Sequence, residues 1–198
     1  MNKKIDLILA SASPRRSEIL TSLGIDFRVL VSDADENSNS TDAGGHVEDI
    51  ARAKCEAVAK SLGGVEALSD NTMILAADTL VVLDGEFMGK PRDAADAGKM
   101  LACLSDREHF VVTGFAVCYG GRIETAHEKT FVKFAKMTDE DIRNYVGSGE
   151  PFGKAGAYAI QGRGARYIEG IRGDYFNVVG LPAHKVFAFV RESFGVEL

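Results

Sequence analysis

The residues most capable of chemistry lie in a few short blocks of the 198-residue chain. Ser11-Ala-Ser13-Pro14-Arg15-Arg16 follows an apolar run and opens a helical pattern. Two hydroxyls, two guanidiniums and the free N–H groups of a helix N-terminus together suit a phosphate group. The alternative is a plain helix cap with two solvated arginines. Adjacent arginines in a first helical turn oppose the macrodipole at a cost of up to about 1 kcal/mol, and tolerating that cost suggests a use. Asp78 interrupts a second apolar run, Ile74–Val82. A carboxylate there is expensive to bury unless it is paired or bound to metal, and otherwise it marks a strand-end bend and caps the backbone.

Asp33, Asp35 and Glu36 make an acidic loop, which is either simply solvated or part of a site. If Glu36 met Asp78 in space, the two would form an all-oxygen site suited to Mg²⁺ or Mn²⁺. Lys54 lies on or beside the apolar side of a helical stretch, where it either snorkels or serves a ligand. Lys90, in Gly89-Lys90-Pro91, belongs to a turn. The stretch Lys154–Gly162 is punctuated by small residues that permit close backbone approach to a ligand. Basic phosphate-binding groups and metal-type carboxylates on one chain point to a metal-dependent enzyme acting on a phosphorylated small molecule.

Other chemistries are excluded by spacing. Gly85, Gly89 and Lys90, and again Gly149, Gly153 and Lys154, fall one residue short of a Walker A loop and lack its Ser or Thr. Gly162-Arg-Gly164 lacks the third glycine of a dinucleotide fingerprint. No Gly-x-Ser-x-Gly elbow occurs, and the four histidines show no ligand spacing. The three cysteines, Cys55, Cys103 and Cys118, form no Cys-x-x-Cys pair, and neither Cys103 nor Cys118 has the arginine spacing of a cysteine phosphatase. All three read as buried small apolar side chains in a reducing cytosol. With 29 acidic and 23 basic residues the net charge is −6, which disfavours a duplex nucleic-acid binder. The Met-Asn-Lys-Lys start precedes an apolar run too short for a signal peptide or a membrane span, so a cytoplasmic protein is expected.

The elements that must hold these residues alternate as in an α/β fold, with 45% apolar residues for one core. Strands are predicted at Ile5–Ala10 and Phe27–Val31, and on either side of Asp78-Thr79 at Met73–Ala77 and Leu80–Leu83. A hairpin turn is predicted at Asp84-Gly85 and another at Gly120-Gly121, between His109–Tyr119 and Ile123–Phe134. Helices are predicted from Pro14 to Leu23, Val47 to Leu62, Asp93 to Leu104, Thr138 to Val146 and Pro182 to Phe194. Tyr158–Gln161, Tyr167–Ile171 and Asn177–Val179 read as short strands.

Six blocks in order, Ile8–Arg16, Ala77-Asp-Thr79, Gly89-Lys-Pro91, Lys154–Tyr158, Ile160-Gln-Gly162 and Asn177–Pro182, resemble the Maf family of nucleoside triphosphate pyrophosphatases. They span roughly residues 5 to 190. The resemblance implies a single α/β domain over 1–198, similar to inosine triphosphate pyrophosphatases, with a mixed twisted sheet and two lobes around a central cleft. It also implies a divalent cation, Mg²⁺ or Mn²⁺, a cytoplasmic homodimer and a nucleoside triphosphate substrate, with neither duplex nucleic acid nor membrane as partner.

Carried over by position, Asp78 resembles the proton acceptor, while Ser11, Ser13, Arg16, Lys54 and Lys90 resemble the triphosphate-binding groups. Glu36, with Asp78, resembles the metal-associated carboxylate. Arg15, Thr79 and Gln161 match the three positions at which dTTP/UTP members differ from 7-methyl-GTP members. Departures fall at Gly153, Asp106 and Val31-Ser32, where Asp, Gly and prolines are usual. The resemblance thus implies hydrolysis of dTTP and UTP, or of modified pyrimidine triphosphates such as 5-methyl-UTP, to monophosphate and diphosphate. It suggests nucleotide-pool housecleaning and a link to septum formation. The alternatives are a 7-methyl-GTP-type enzyme and a non-catalytic nucleotide sensor in cell division.

Overall fold

The apolar run after Lys4 forms β1, Asp6–Leu9, whose last three residues are buried. The computed structural model describes residues 4–198, so the first three residues of the Met-Asn-Lys-Lys start lie outside it. Parallel pairing sets β1 between β2, Phe27–Val29, and β3, Thr72–Leu83, with Leu9 opposite both Val29 and Leu75. The remaining strands are β4, Glu86–Met88, β5, Glu108–Tyr119, β6, Arg122–Phe134, and β7, Ile168–Arg172. Together they make one seven-stranded mixed sheet in the order β2-β1-β3-β5-β6-β7, with β4 antiparallel to β3. This is the mixed α/β architecture expected from the alternation of elements.

The chain packs as two compact units, 1–78 with 113–128 and 180–198, and 79–112 with 129–179. The first holds helices α1, Pro14–Ser22, α2, Ala43–Ser61, and α6, Ala183–Phe194. Its core joins Ile8, Ala10, Ala51, Cys55, Ile74 and Cys118. Two of the three cysteines are therefore buried apolar groups, while Cys103 is exposed. The second unit holds α3, Ala94–Leu104, α4, Asp139–Gly147, and α5, Tyr175–Val179, with Leu101, Phe134, Tyr145 and Tyr158 in its core.

Side-chain caps decide where α2, α3 and α4 begin. Asp42 accepts the Gly45 N–H at 2.9 Å, so α2 starts four residues before the predicted Val47 despite two glycines in its first turn. Asp93 caps α3, and Thr138 with Asp141 closes a capping box on α4. Farther along, α2 lies against β5 at Gly114, where a Cβ would stand 2.5 Å from the Val47 carbonyl carbon. Only glycine admits so close an approach.

Three expectations about strands need correction. The break at Asp78-Thr79 does not exist, because β3 runs through it without interruption. Tyr158–Gln161 is irregular chain, since Gly156, Ala157 and Gly162 all take positive φ and leave no room for a ladder between them. Asn177–Val179 belongs to α5, which Asp174 starts by accepting the Phe176 N–H at 2.8 Å. Strand β4 was not predicted, though the Asp84-Gly85 turn before it was. Both turn residues have positive φ, as a two-residue hairpin with native twist requires.

Candidate active site

The site grows from the end of β1. Ala10 gives its N–H to the Leu75 carbonyl, and the chain then turns into α1 with Pro14 in the first turn. Ser13 stands at the N-cap without a side-chain cap bond; instead its N–H donates to Ser11 Oγ at 3.2 Å. Arg16 is buried rather than solvated. Its Nε donates to the Gly180 carbonyl at 2.8 Å and its Nη1 to Ser11 Oγ at 2.9 Å. Burial pulls its pKa below the usual guanidinium value, while the Asp78 and then the Glu36 carboxylates oppose that shift. Arg15, half-buried beside it, is lowered chiefly by burial, against the pull of Glu18. Gly180 was missed as an Arg16 partner by sequence reasoning, although it lies in one of the six blocks, because a backbone acceptor leaves no side-chain signal.

Asp78 sits where the buried run of β3 gives way to two half-buried residues. Its Oδ1 accepts from Lys54 Nζ at 2.8 Å. The same ammonium lies 2.7 Å from Glu36 Oε1. Lys54 is 12% exposed, Asp78 19% and Glu36 51%, so the cation is sequestered and one carboxylate opens to solvent. Pairing with Lys54 compensates the carboxylate inside β3, which is why the strand need not bend there. Of the other acidic residues in the loop, Asp35 accepts from Asn37 Nδ2 at 2.8 Å.

Seating α2 sets where Lys54 points. Glu48, near the start of that helix, accepts from Thr125 Oγ1 at 2.7 Å and lies 2.5 Å from His127 Nδ1, both on β6. Cys55, next to Lys54, is fully buried against β3. Sequence reasoning did not anticipate the Glu48 seat, because its partners are about 80 residues away.

Ser11, Arg16, Glu36, Lys54 and Asp78 are therefore gathered within the first unit. Thr79 follows Asp78 in β3 and opens the second unit, which also holds Lys90 and Gln161. Lys90 is exposed in the turn after β4, and Gly89 just before it accepts the Gly156 N–H at 3.0 Å. Gln161 stands in extended backbone before the 3-10 turn Gly162–Tyr167, its side chain not engaged in capping that turn.

Among the described residues, no three His, Cys, Asp or Glu side chains converge into a ready metal cage. The site instead offers two hard carboxylates, Glu36 and Asp78, around one ammonium. That donor set fits a Mg²⁺-type ion, which takes one or two protein carboxylates and completes its shell with water and phosphate oxygens.

Comparison with known proteins places the chain. A protein named dTTP/UTP pyrophosphatase from Geotalea uraniireducens is 48% identical over 200 residues, covering 100% of both chains. Another of that name from Symbiobacterium thermophilum is 49% identical over 180 residues, covering 90% of this chain and 89% of that one. A third, from Caldanaerobacter subterraneus, is 42% identical over 193 residues, covering 96% and 90%. The solved structure of the Staphylococcus aureus Ham1 protein aligns at a TM-score of 0.45 and 19% identity, over 66% of this chain and 72% of that one. The family model described as Maf-like protein matches residues 6–193, and on this match, which covers almost the whole length, the chain belongs to the Maf family.

Proposed function

We propose that this chain hydrolyses dTTP and UTP between the α and β phosphates, releasing the nucleoside monophosphate and pyrophosphate. The observation that carries the reading is Lys54 held between Glu36 and Asp78, with buried Arg16 and Ser11 in the same unit. This is an acidic pair for a cation and a proton, beside groups for phosphate. The relatives named dTTP/UTP pyrophosphatase support the substrate.

In this mechanism Asp78 accepts the proton of the attacking water as that oxygen approaches the α-phosphorus in line. Glu36 and Asp78 would hold a divalent cation, which would supply charge neutralisation to the triphosphate and make water a better nucleophile. Lys54 and Arg16 bind phosphate oxygens, and Lys90 is a further phosphate ligand. Charge that grows on the departing pyrophosphate strengthens these contacts in the transition state. Ser11 and Ser13 donate hydroxyl hydrogen bonds to the same oxygens. Arg15, Thr79 and Gln161 select the base, and Gln161 can both donate to and accept from a pyrimidine edge.

No helix among the described residues is long and apolar enough to cross a membrane. We read residues 1–198 as a single Maf-like domain working in the cytoplasm as a homodimer that clears unwanted pyrimidine nucleotides, and both assembly and location rest on the family resemblance. The test is to incubate the purified chain with Mg²⁺ and dTTP, UTP, ATP or 7-methyl-GTP and identify the products. Turnover of dTTP and UTP to monophosphate and pyrophosphate is expected. Preferred turnover of 7-methyl-GTP would overturn the substrate, and tight binding without turnover would overturn the enzyme.

A further inference from the structure

The segment from Ala155 to Tyr167 contains only short 3-10 turns and no strand ladder, so its backbone N–H groups need partners elsewhere. One carboxylate supplies several of them. Glu150 Oε2 accepts the Arg163 N–H at 2.9 Å, and its Oε1 accepts the Gly164 N–H at 2.9 Å. The same Oε1 accepts the hydroxyl of Tyr145 at 2.8 Å, and that hydroxyl in turn accepts the Ala159 N–H at 3.2 Å. Gln161 lies between these anchors, two residues after Ala159 and two before Arg163.

The fit is close on both sides. A Cβ at Gly162, whose φ is +75°, would stand 2.6 Å from Glu150 Oε2. One at Gly164 would stand 2.3 Å from the Ala159 carbonyl oxygen and 2.6 Å from the Tyr145 hydroxyl. The Gly162-Arg-Gly164 pair, which is no dinucleotide fingerprint, thus makes room for this clamp. The clamp is also anchored below. Tyr145 is buried and packs edge-to-face on Tyr167 at 5.6 Å, and Lys154 Nζ donates to the Glu150 carbonyl at 2.6 Å.

We propose that Glu150, acting with Tyr145, is a positioning residue that fixes the backbone of Gln161 and thereby sets which base the enzyme accepts. Nothing in this role needs Glu150 to touch substrate. The charge state suits it. Burial would raise the Glu150 pKa, but the N–H groups of Arg163 and Gly164, the Tyr145 hydroxyl and the Lys154 charge outweigh burial and hold it below the usual carboxylate range. An ionised carboxylate accepts at both oxygens, whereas a glutamine would turn an N–H₂ toward a backbone N–H.

The inference rests on the reading that Gln161 selects the base, and its test separates the two. kcat and KM for UTP and for ATP are measured with Mg²⁺ on the full chain, on Glu150→Ala, Glu150→Gln and Tyr145→Phe, with amide hydrogen exchange at Arg163 and Gly164. For Glu150→Ala the preference for UTP over ATP, as the ratio of kcat/KM values, is expected to fall about tenfold to a hundredfold. The loss should sit mainly in KM for UTP, with faster exchange at both amides. Glu150→Gln should resemble Glu150→Ala, and Tyr145→Phe, which keeps the ring, should lose less. An unchanged preference in Glu150→Gln despite faster exchange would overturn the inference while leaving the proposed function intact. A wild-type chain that shows no preference for UTP would overturn the reading of Gln161 and the inference with it.

Discussion

The proposed mechanism gives Asp78, Lys54 and Glu36 different tasks in one cluster, and substitution should separate them. Asp78→Asn keeps the shape but removes the proton acceptor, so kcat should fall by about 10²-fold or more with KM changed far less. Near-normal turnover would remove Asp78 from that role. Glu36→Gln should act through the cation, raising the half-saturating Mg²⁺ concentration about tenfold, on the scale seen when metal-site carboxylates are altered. A titration that overlays the wild type would show that Glu36 holds no cation. At this scale the sequence was informative wherever a residue looked misplaced. A carboxylate in an apolar run and two arginines in a first turn both cost energy, and the structure pairs Asp78 with Lys54 and Arg16 with Gly180 and Ser11. What stayed hidden were partners with no signature of their own, such as the Gly180 carbonyl and the Thr125 hydroxyl on Glu48.

The elements carry these residues, and close backbone approach fixes one of them. Gly114→Ala would push a methyl group into the Val47 carbonyl, so α2 must shift from β5 or the strand must distort. A loss of stability of about 1–3 kcal/mol is expected, with a fall in kcat/KM because Lys54 moves with the helix. Unchanged urea midpoints would contradict that packing. In the second unit, buried Asn177 donates to the Val111 carbonyl at 3.1 Å and to Thr130 Oγ1 at 2.9 Å. Asn177→Ala should cost about 1–3 kcal/mol by removing two buried hydrogen bonds, although Thr130 Oγ1 keeps the Asp174 N–H, again read from urea unfolding. Long elements were legible because many residues vote together, through the helical period of α3 and the extended apolar run of β5. The misread segments are short. Three residues at Asn177–Val179, two of them apolar, fit a strand or a helix equally, and their fate was decided by the Asp174 cap and by Asn177 bonds to distant strands.

For the whole molecule, charge and burial set the conditions under which it holds together. His109 is buried, 2.7 Å from the Tyr158 hydroxyl and edge-on to Phe134, and burial pushes its pKa from 6.5 down to about 4. Between those values the unfolded chain binds a proton that the folded chain does not, so stability falls as pH drops through that window and is not recovered below it. The full loss is on the order of 3 kcal/mol. His109→Phe should flatten the difference between urea midpoints at pH 7 and pH 5, and an equally steep difference would show that another group is responsible. The alternation of elements and the net charge of −6 were enough to indicate the α/β class and to disfavour a duplex nucleic-acid binder. Composition could not divide the chain into its two units, because β3, β5 and β6 run through both. The central claim is that water attacks the α-phosphorus, and hydrolysis of UTP in ¹⁸O-labelled water with mass analysis of both products tests it directly. Label in UMP and none in pyrophosphate is the expected result; label in pyrophosphate, or release of orthophosphate, would place the attack on another phosphorus and contradict the account.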